Sequence, residues 1–376
     1  MTPADNLTIV LTIKDRTAFT YRWMQYMNDC KCPYPILIAD GGEDDAIAAH
    51  LGGSGAYPHL RYTYLRYDVD RDYEVFYQKF ADVLGQVATP YLLLADNDDF
   101  FFLEHIPTFT AFLDHNQGYV SCGGQPILLY LLSRSGELVG AVSAGQYRAV
   151  ADVRPKSVSD EQGVERACYF LTNVRRHRLW STWYQVHRSS AVKEAIGLVR
   201  RYAFTDPVAL EIHVHLSLLM AGKYHQCEAP FWVGQHGTSQ LTSALEAQGS
   251  VVERFIKANS FADLHRSLET FAGLSVADRE RILGAIAGWF AGCAVALSPV
   301  PPIQAAPSGG DAVERAYRAA RRLARPLAAI FRSPPPAREQ LRLPALEKYI
   351  LDPAVTEDVS ASTTAIAAQE GRGVSR

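Results

Sequence analysis

The chain has 376 residues, of which 48% are hydrophobic and 20% charged, with a formal net charge of −3. That is material for about two or three globular domains. The near-neutral balance excludes a protein that grips nucleic acid by bulk charge, and no uninterrupted apolar run is long enough to span a bilayer.

Met1-Thr2-Pro3-Ala4-Asp5-Asn6 has no basic stretch followed by an apolar one, so no secretory leader is expected. Cys30, Cys32, Cys122, Cys168, Cys227 and Cys293 are scattered and lack zinc-knuckle spacing. They read as reduced thiols of a cytoplasmic protein.

Residues 7–12 form a compact apolar strand. Residues 17–27 follow with helical spacing, placing Phe19, Trp23 and Met27 on one face. A second strand over 35–39 ends at Asp40-Gly41-Gly42, where glycines let the backbone turn and approach a ligand. A third strand is expected over 60–65, then a helix over 73–87 and a fourth strand over 91–95. Strands alternating with helices imply parallel βαβ units, with ligand-facing turns after Thr12, Ala39 and Ala95.

Further on, 125–132 and 137–141 bracket Ser133-Arg134-Ser135-Gly136 as a hairpin, and 149–163 reads as a polar loop. Residues 180–187 are aromatic and strand-like, and 207–221 form a helix closed by Gly222. Helices are expected over 251–271, 276–297 and 312–331, then a proline-rich linker and a small, polar tail over 355–376.

The most informative stretch is Asp96-Asn97-Asp98-Asp99, directly behind the fourth strand. Ionised carboxylates buried without partners cost several kcal/mol each, so a positive group must meet them. A divalent cation suits, because hard cations take oxygen ligands and bridge to phosphates. Alternation along an extended segment predicts that Asp96 and Asp98 share one side while Asp99 points elsewhere.

Together these features resemble a family 2-type glycosyltransferase of the GT-A fold. Residues 7–16 resemble its opening strand and basic-polar turn, 36–42 its second strand with an Asp-Gly turn, and 96–99 its DxD motif. Glu211, twelve residues before Lys223 of Gly222-Lys223, resembles its catalytic carboxylate. Pro230-Phe231-Trp232-Val233-Gly234-Gln235-His236 resembles the strand that ends in a metal-binding histidine. The likeness covers roughly residues 7 to 240. It departs at Leu210-Glu211, where the family carries two acids, and matches nothing between Gln125 and Ala203.

The resemblance implies an α/β fold with a mixed, mostly parallel sheet, flanking helices and a C-terminal helical region. It divides the chain into a glycosyltransferase domain over 1–245 (nucleotide-binding half 1–100, acceptor half 101–245), helices over 246–332 and a linker and tail over 333–376. It implies Mn or Mg held by Asp96, Asp98 and His236, and a nucleotide-sugar donor met by Arg16, Asp40, Lys79 and Asp96. Glu211 becomes the general base of an inverting transfer, with Asp206 as rival or helix cap before Pro207. The acceptor would be a glycan or glycolipid in bacterial-type polysaccharide or glycoconjugate synthesis. A cytoplasmic enzyme of that kind can sit peripherally on the membrane's inner face, and the basic helix over 312–331 suits such attachment. Trp180, Trp183 and Tyr184 are candidates for stacking on a sugar.

Two other classes compete. A silent sugar- or nucleotide-binding scaffold draws on Leu210 replacing an acid. A nucleotidyltransferase would need a glycine-rich basic loop, and Ile13-Lys14-Asp15-Arg16 has no glycine.

Overall fold

The protein is described from a computed structural model over residues 6–53, 55–151, 156–173, 183–199, 207–236, 260–271, 273–297 and 340–351. A ten-stranded mixed sheet runs through it. Four strands, β1 (Leu7–Ile13), β2 (Ile36–Asp40), β3 (Tyr62–Arg66) and β4 (Tyr91–Ala95), pair in parallel in the order β4-β1-β2-β3. β5 (Phe100–Phe101) leaves the acidic turn. β6 (Tyr119–Leu132), β7 (Gln146–Ala151) and β8 (Val186–Arg188) extend the sheet beyond β4, antiparallel to their neighbours on that path. β9 (Lys223–His236) runs parallel to β6 and also takes β5, and β10 (Gln340–Leu341) closes the edge on β7.

The apolar runs become strands because both faces are covered. Leu7, Ile9, Leu11 and Ile13 of β1 enter one layer with Trp23, Met24 and Met27 of α1 (Thr17–Asp29). Val10 enters the opposite layer with Phe80 and Val83 of α3 (Tyr73–Gln86). β4 divides likewise, with Leu93 on the first side and Leu92 and Leu94 on the second. α2 (Asp45–Leu51) and α4 (Ile106–His115) belong to the first layer. α5 (Gly163–Thr172), α6 (Ser189–Val199), α7 (Pro207–Ala221), α8 (Ser260–Leu268) and α9 (Val276–Leu297) build the second.

The mixed α/β architecture is the one expected. Within it, three local readings change. β6 is a long strand whose next antiparallel partner in the chain is β7, while 137–141 contributes only a bridge at Leu138. β8 is three residues long. Inside the stretch read as linker and tail, β10 and α10 (Pro344–Leu351) dock onto the first layer, because Leu343, Leu346, Tyr349 and Ile350 bury there. Tyr349 donates to Asp29 at 2.6 Å and Tyr147 to Glu347 at 2.8 Å. The basic helix expected over 312–331 lies outside the described residues. Among those that are described, no helix is long and apolar enough to cross a membrane.

Candidate active site

The register Leu11↔Ala95 and Ile13↔Asp40 sets the turns after β4, β1 and β2 side by side at one sheet edge. Carboxyl ends of parallel strands are where open α/β sheets bind ligands.

The β1 turn is strained. Asp15 (φ 53) and Arg16 (φ 60) are both left-handed without being glycine, a conformation that costs of order 1–3 kcal/mol per residue. Asp15 Oδ1 holds the turn by accepting from the amides of Glu43 at 2.6 Å and Asp44 at 3.2 Å. Beside it, Asp40 is fully buried. Its Oδ1 accepts from Gly42 N at 2.8 Å, and its Oδ2 from Tyr64 Oη and from Arg66 Nη1 at 2.8 Å. Asp40 thus closes the turn with both oxygens engaged, and the half-exposed Arg66 is the group it presents outward.

Lys79 points inward as well. Its Nζ donates to Ile13 O at 3.1 Å and pairs with buried Asp70. A Cβ on Gly41 would stand 2.5 Å from the Asp70 carboxylate, so this pair needs the glycine. Burial raises the pKa of Asp70 and lowers that of Lys79, each against its partner's pull. Removing one partner of such a pair strands the other. Lys79→Ala should therefore cost about 3–5 kcal/mol of stability, read as a lower urea midpoint. A loss under about 1 kcal/mol would mean that Asp70 finds another partner.

The acidic stretch gathers three carboxylates. Oxygens of Asp96, Asp98 and Asp99 all lie within 4.8 Å of one another, the one such potential metal group among the described residues. The expectation that Asp99 points elsewhere is corrected. The segment turns, with Asp99 N donating to Asp96 O at 3.4 Å, so extended alternation does not apply.

Each carboxylate has a distinct holder. Tyr184 Oη donates to Asp96. Arg16 Nη1 pairs with Asp98 Oδ2 at 3.1 Å. Trp232 Nε1 donates to Asp99 Oδ2 at 2.6 Å and Gln235 N to Asp99 Oδ1 at 3.2 Å. The Tyr184 and Trp232 rings stack at 4.5 Å, so one aromatic pair positions two acids. Burial, then the charge of Asp98, raises Asp96 to about 6. The same causes push Asp99 well above the carboxylate range.

Arg22 is the group that the sequence reading missed. It is fully buried on α1 and donates to Gln235 Oε1 and Val142 O at 2.8 Å and to Asp98 O at 3.2 Å. Burial lowers its pKa to about 10. The available signal was an arginine beside Trp23 in a helix destined for the core. Tyr184, read as a sugar-stacking ring, instead serves Asp96. Trp183 packs on Phe80 at 5.7 Å, and Trp180 lies outside the described residues.

α7 supplies a further acid. From Ala209 to Leu219 every residue but one is buried. Glu211 is the exception, with 38% of its side chain exposed. Its charge contributes to raising the pKa of both Asp96 and Tyr77, so it lies within electrostatic reach of the acidic turn. His215 Nε2 lies 3.7 Å from Glu211 Oε1. Leu210 is buried in the apolar layer, so the position of the absent second acid faces the core.

The C-terminus of α7 is tied down. Buried Arg166 donates to Leu219 O at 2.6 Å and Met220 O at 3.1 Å, which satisfies carbonyls that a helix end leaves unpaired. At Gly222 a Cβ would meet Val120 at 2.5 Å, and Lys223 N bonds Gly118 O at 2.9 Å. The Gly-Lys turn is therefore a close crossing that fixes α7 against β6. His213 is buried, with its pKa lowered to about 4 by desolvation. His236 ends β9 opposite Tyr130, next to the Gln235 whose amide meets Asp99. Its side chain and Asp206 lie outside the described residues.

No protein-family profile matches the chain, and no curated protein does. Solved structures show distant likenesses. TarS 1–349 of S. aureus with UDP-GlcNAc aligns over 74% of this chain and 71% of its own, at 12% identity and TM-score 0.46. The mannosyltransferase PcManGT from Pyrobaculum calidifontis, with GDP-Man and Mn2+, aligns over 96% and 87%, at 11% identity and TM-score 0.41. Likenesses this remote carry no functional weight, and the reading of function rests on the site's own residues.

Proposed function

We propose that this protein is a metal-dependent, inverting glycosyltransferase of the GT-A type, moving a sugar from a nucleotide-sugar donor to a glycan or glycolipid hydroxyl. The observation that carries the reading is Glu211. It is the single partly open carboxylate on a buried stretch of helix, and its charge acts on Asp96, which stands at the carboxyl edge of parallel strands.

The donor set fits a hard divalent cation: three carboxylates lie within reach of one ion. Asp96 and Asp98 would hold Mn or Mg, with His236 as a further ligand. When bound, the ion supplies charge neutralisation to the departing diphosphate.

The chain's own groups do the rest. Arg16 lies 4.0 Å over the Phe19 ring and beside Asp98, at the place where a diphosphate adds negative charge. Arg66, backed by Asp40, is the polar group at the neighbouring turn for the nucleotide base, and Lys79 braces that turn from inside. Glu211 takes the proton of the acceptor hydroxyl as its oxygen bonds to the anomeric carbon and the bond to the diphosphate oxygen breaks. A base on the face opposite the leaving group suits single displacement with inversion. Asp206 is the next candidate for base. The rival scaffold reading drew on Leu210, whose side chain is buried in the apolar layer.

A thermal-shift panel of nucleoside diphosphates, with and without Mn2+, tests the proposal. A ligand at 100 times its Kd should add about 2.7 kcal/mol of apparent stability. If no nucleotide gives a metal-dependent rise, the reading fails.

Asp96 makes a separate prediction. The folded protein holds this proton more tightly than the unfolded chain, since its pKa is raised from 3.8 to about 6. With nothing bound, its ionisation therefore lowers stability as pH rises from about 4 to about 6. A cation needs the ionised form, so Mn2+ affinity should fall at least about tenfold between roughly pH 7 and pH 5. Calorimetric titration with Mn2+ at the two pH values reads this. Equal affinities would remove Asp96 from the ligand set.

A further inference from the structure

Cys122 on β6 and Cys227 on β9 are 105 residues apart in sequence, yet their Sγ atoms lie 4.0 Å apart. Both are free thiols, Cys122 fully buried and Cys227 half-buried. The proposed mechanism uses neither. A disulfide needs about 2.05 Å between sulfurs, so the pair must close by about 2 Å. The ladder is irregular there. Cys227 falls between the paired residues Gln226 and Pro230, in a stretch where the β6–β9 register shifts.

We propose that Cys122 and Cys227 form a peroxide-sensitive dithiol, in which Cys227 is oxidised first and Cys122 resolves it as an intramolecular disulfide. The Cys227 thiolate attacks one oxygen of hydrogen peroxide. The O–O bond breaks, leaving a sulfenic acid on Cys227, and the departing hydroxide takes a proton to become water. The Cys122 sulfur then attacks the Cys227 sulfur, the S–O bond breaks, and the hydroxyl leaves as a second water with the Cys122 proton. The two thiols lose two electrons and two protons, and one peroxide becomes two waters.

The asymmetry of the pair supports this order. The hydrogen bond that the two thiols share lowers the pKa of Cys227 and raises that of Cys122, to which burial adds. Burial raises Cys30 and Cys168, and pushes Cys32 up to about 12. Among the described cysteines, Cys227 is thus the one shifted down. Low pKa, access and an adjacent resolving thiol are the features of oxidation-sensitive cysteines. Cys122 also pairs with Val186 of β8, two residues from the Tyr184 that holds Asp96, so the link forms one strand away from the acidic turn's support.

The test uses the full chain, reduced, exposed to a small excess of hydrogen peroxide and then blocked with N-ethylmaleimide. Mass spectrometry of the unreduced digest should show the Cys122 and Cys227 peptides joined, and dithiothreitol should separate them. In Cys227→Ser, Cys122 should stay unoxidised. In Cys122→Ala, dimedone should trap a sulfenic acid at Cys227. Should the buried Cys122→Ala variant not fold, the wild-type digest and Cys227→Ser decide the matter. The proposal is overturned if both thiols of the wild type remain free, if Cys227 passes to sulfinic acid without linking, or if either cysteine joins a different partner.

Discussion

Glu211→Gln should lower turnover by about 10²–10⁴-fold, the usual contribution of a general base, while nucleotide affinity stays within about twofold of wild type. The amide keeps the shape and one acceptor oxygen but cannot take a proton at neutral pH. Stability should barely change, because the carboxylate is partly open to solvent and its nearest partner is His215 at 3.7 Å. The measurement is single-turnover transfer to a working acceptor, alongside calorimetry on the same variant. Near-wild-type turnover would move the base elsewhere, with Asp206 next in line. Lost turnover accompanied by equally lost nucleotide binding would make Glu211 a binding group instead.

Asp98→Asn should weaken Mn2+-dependent nucleoside diphosphate binding by at least about 10–100-fold, the range seen when even an outer-shell partner of a metal ligand is lost. Its folding cost should be small. The change removes one of three crowded negative charges as well as the Arg16 ion pair, so repulsion lost offsets attraction lost. Binding without metal should be affected much less. Calorimetry with and without Mn2+ separates the two, and an unchanged metal dependence would take Asp98 out of the site.

The first hundred residues were largely legible because their signals are local. The apolar run over 91–95 is β4 as read, and 73–87 differs from α3 by one residue. The helices over 207–221 and 276–297 also stand where periodicity and the Gly222 stop placed them. Asp96 and Asp98 were visible as charges that could not be core. What escaped was non-local. β6 gains its partner β9 about a hundred residues later, through pairs such as Tyr119↔Lys223, and no periodicity encodes that choice. Asp99 was misdirected because a turn replaced an extended segment. Arg22 was missed because its acceptors, Val142 O and Gln235 Oε1, are 120 and 213 residues away.

The late arrival of β10 and α10 sets a timetable for synthesis. Tyr147 meets Glu347 only after 200 further residues, and Asp29 waits 320 residues for Tyr349. At about 5–20 residues per second, the β7 edge waits roughly 10–40 seconds for these partners and the end of α1 roughly 16–64 seconds. An unpaired strand edge is a template for another chain. During that interval the growing protein offers the β7 edge to other chains, and its protection depends on residues 340–351 being made.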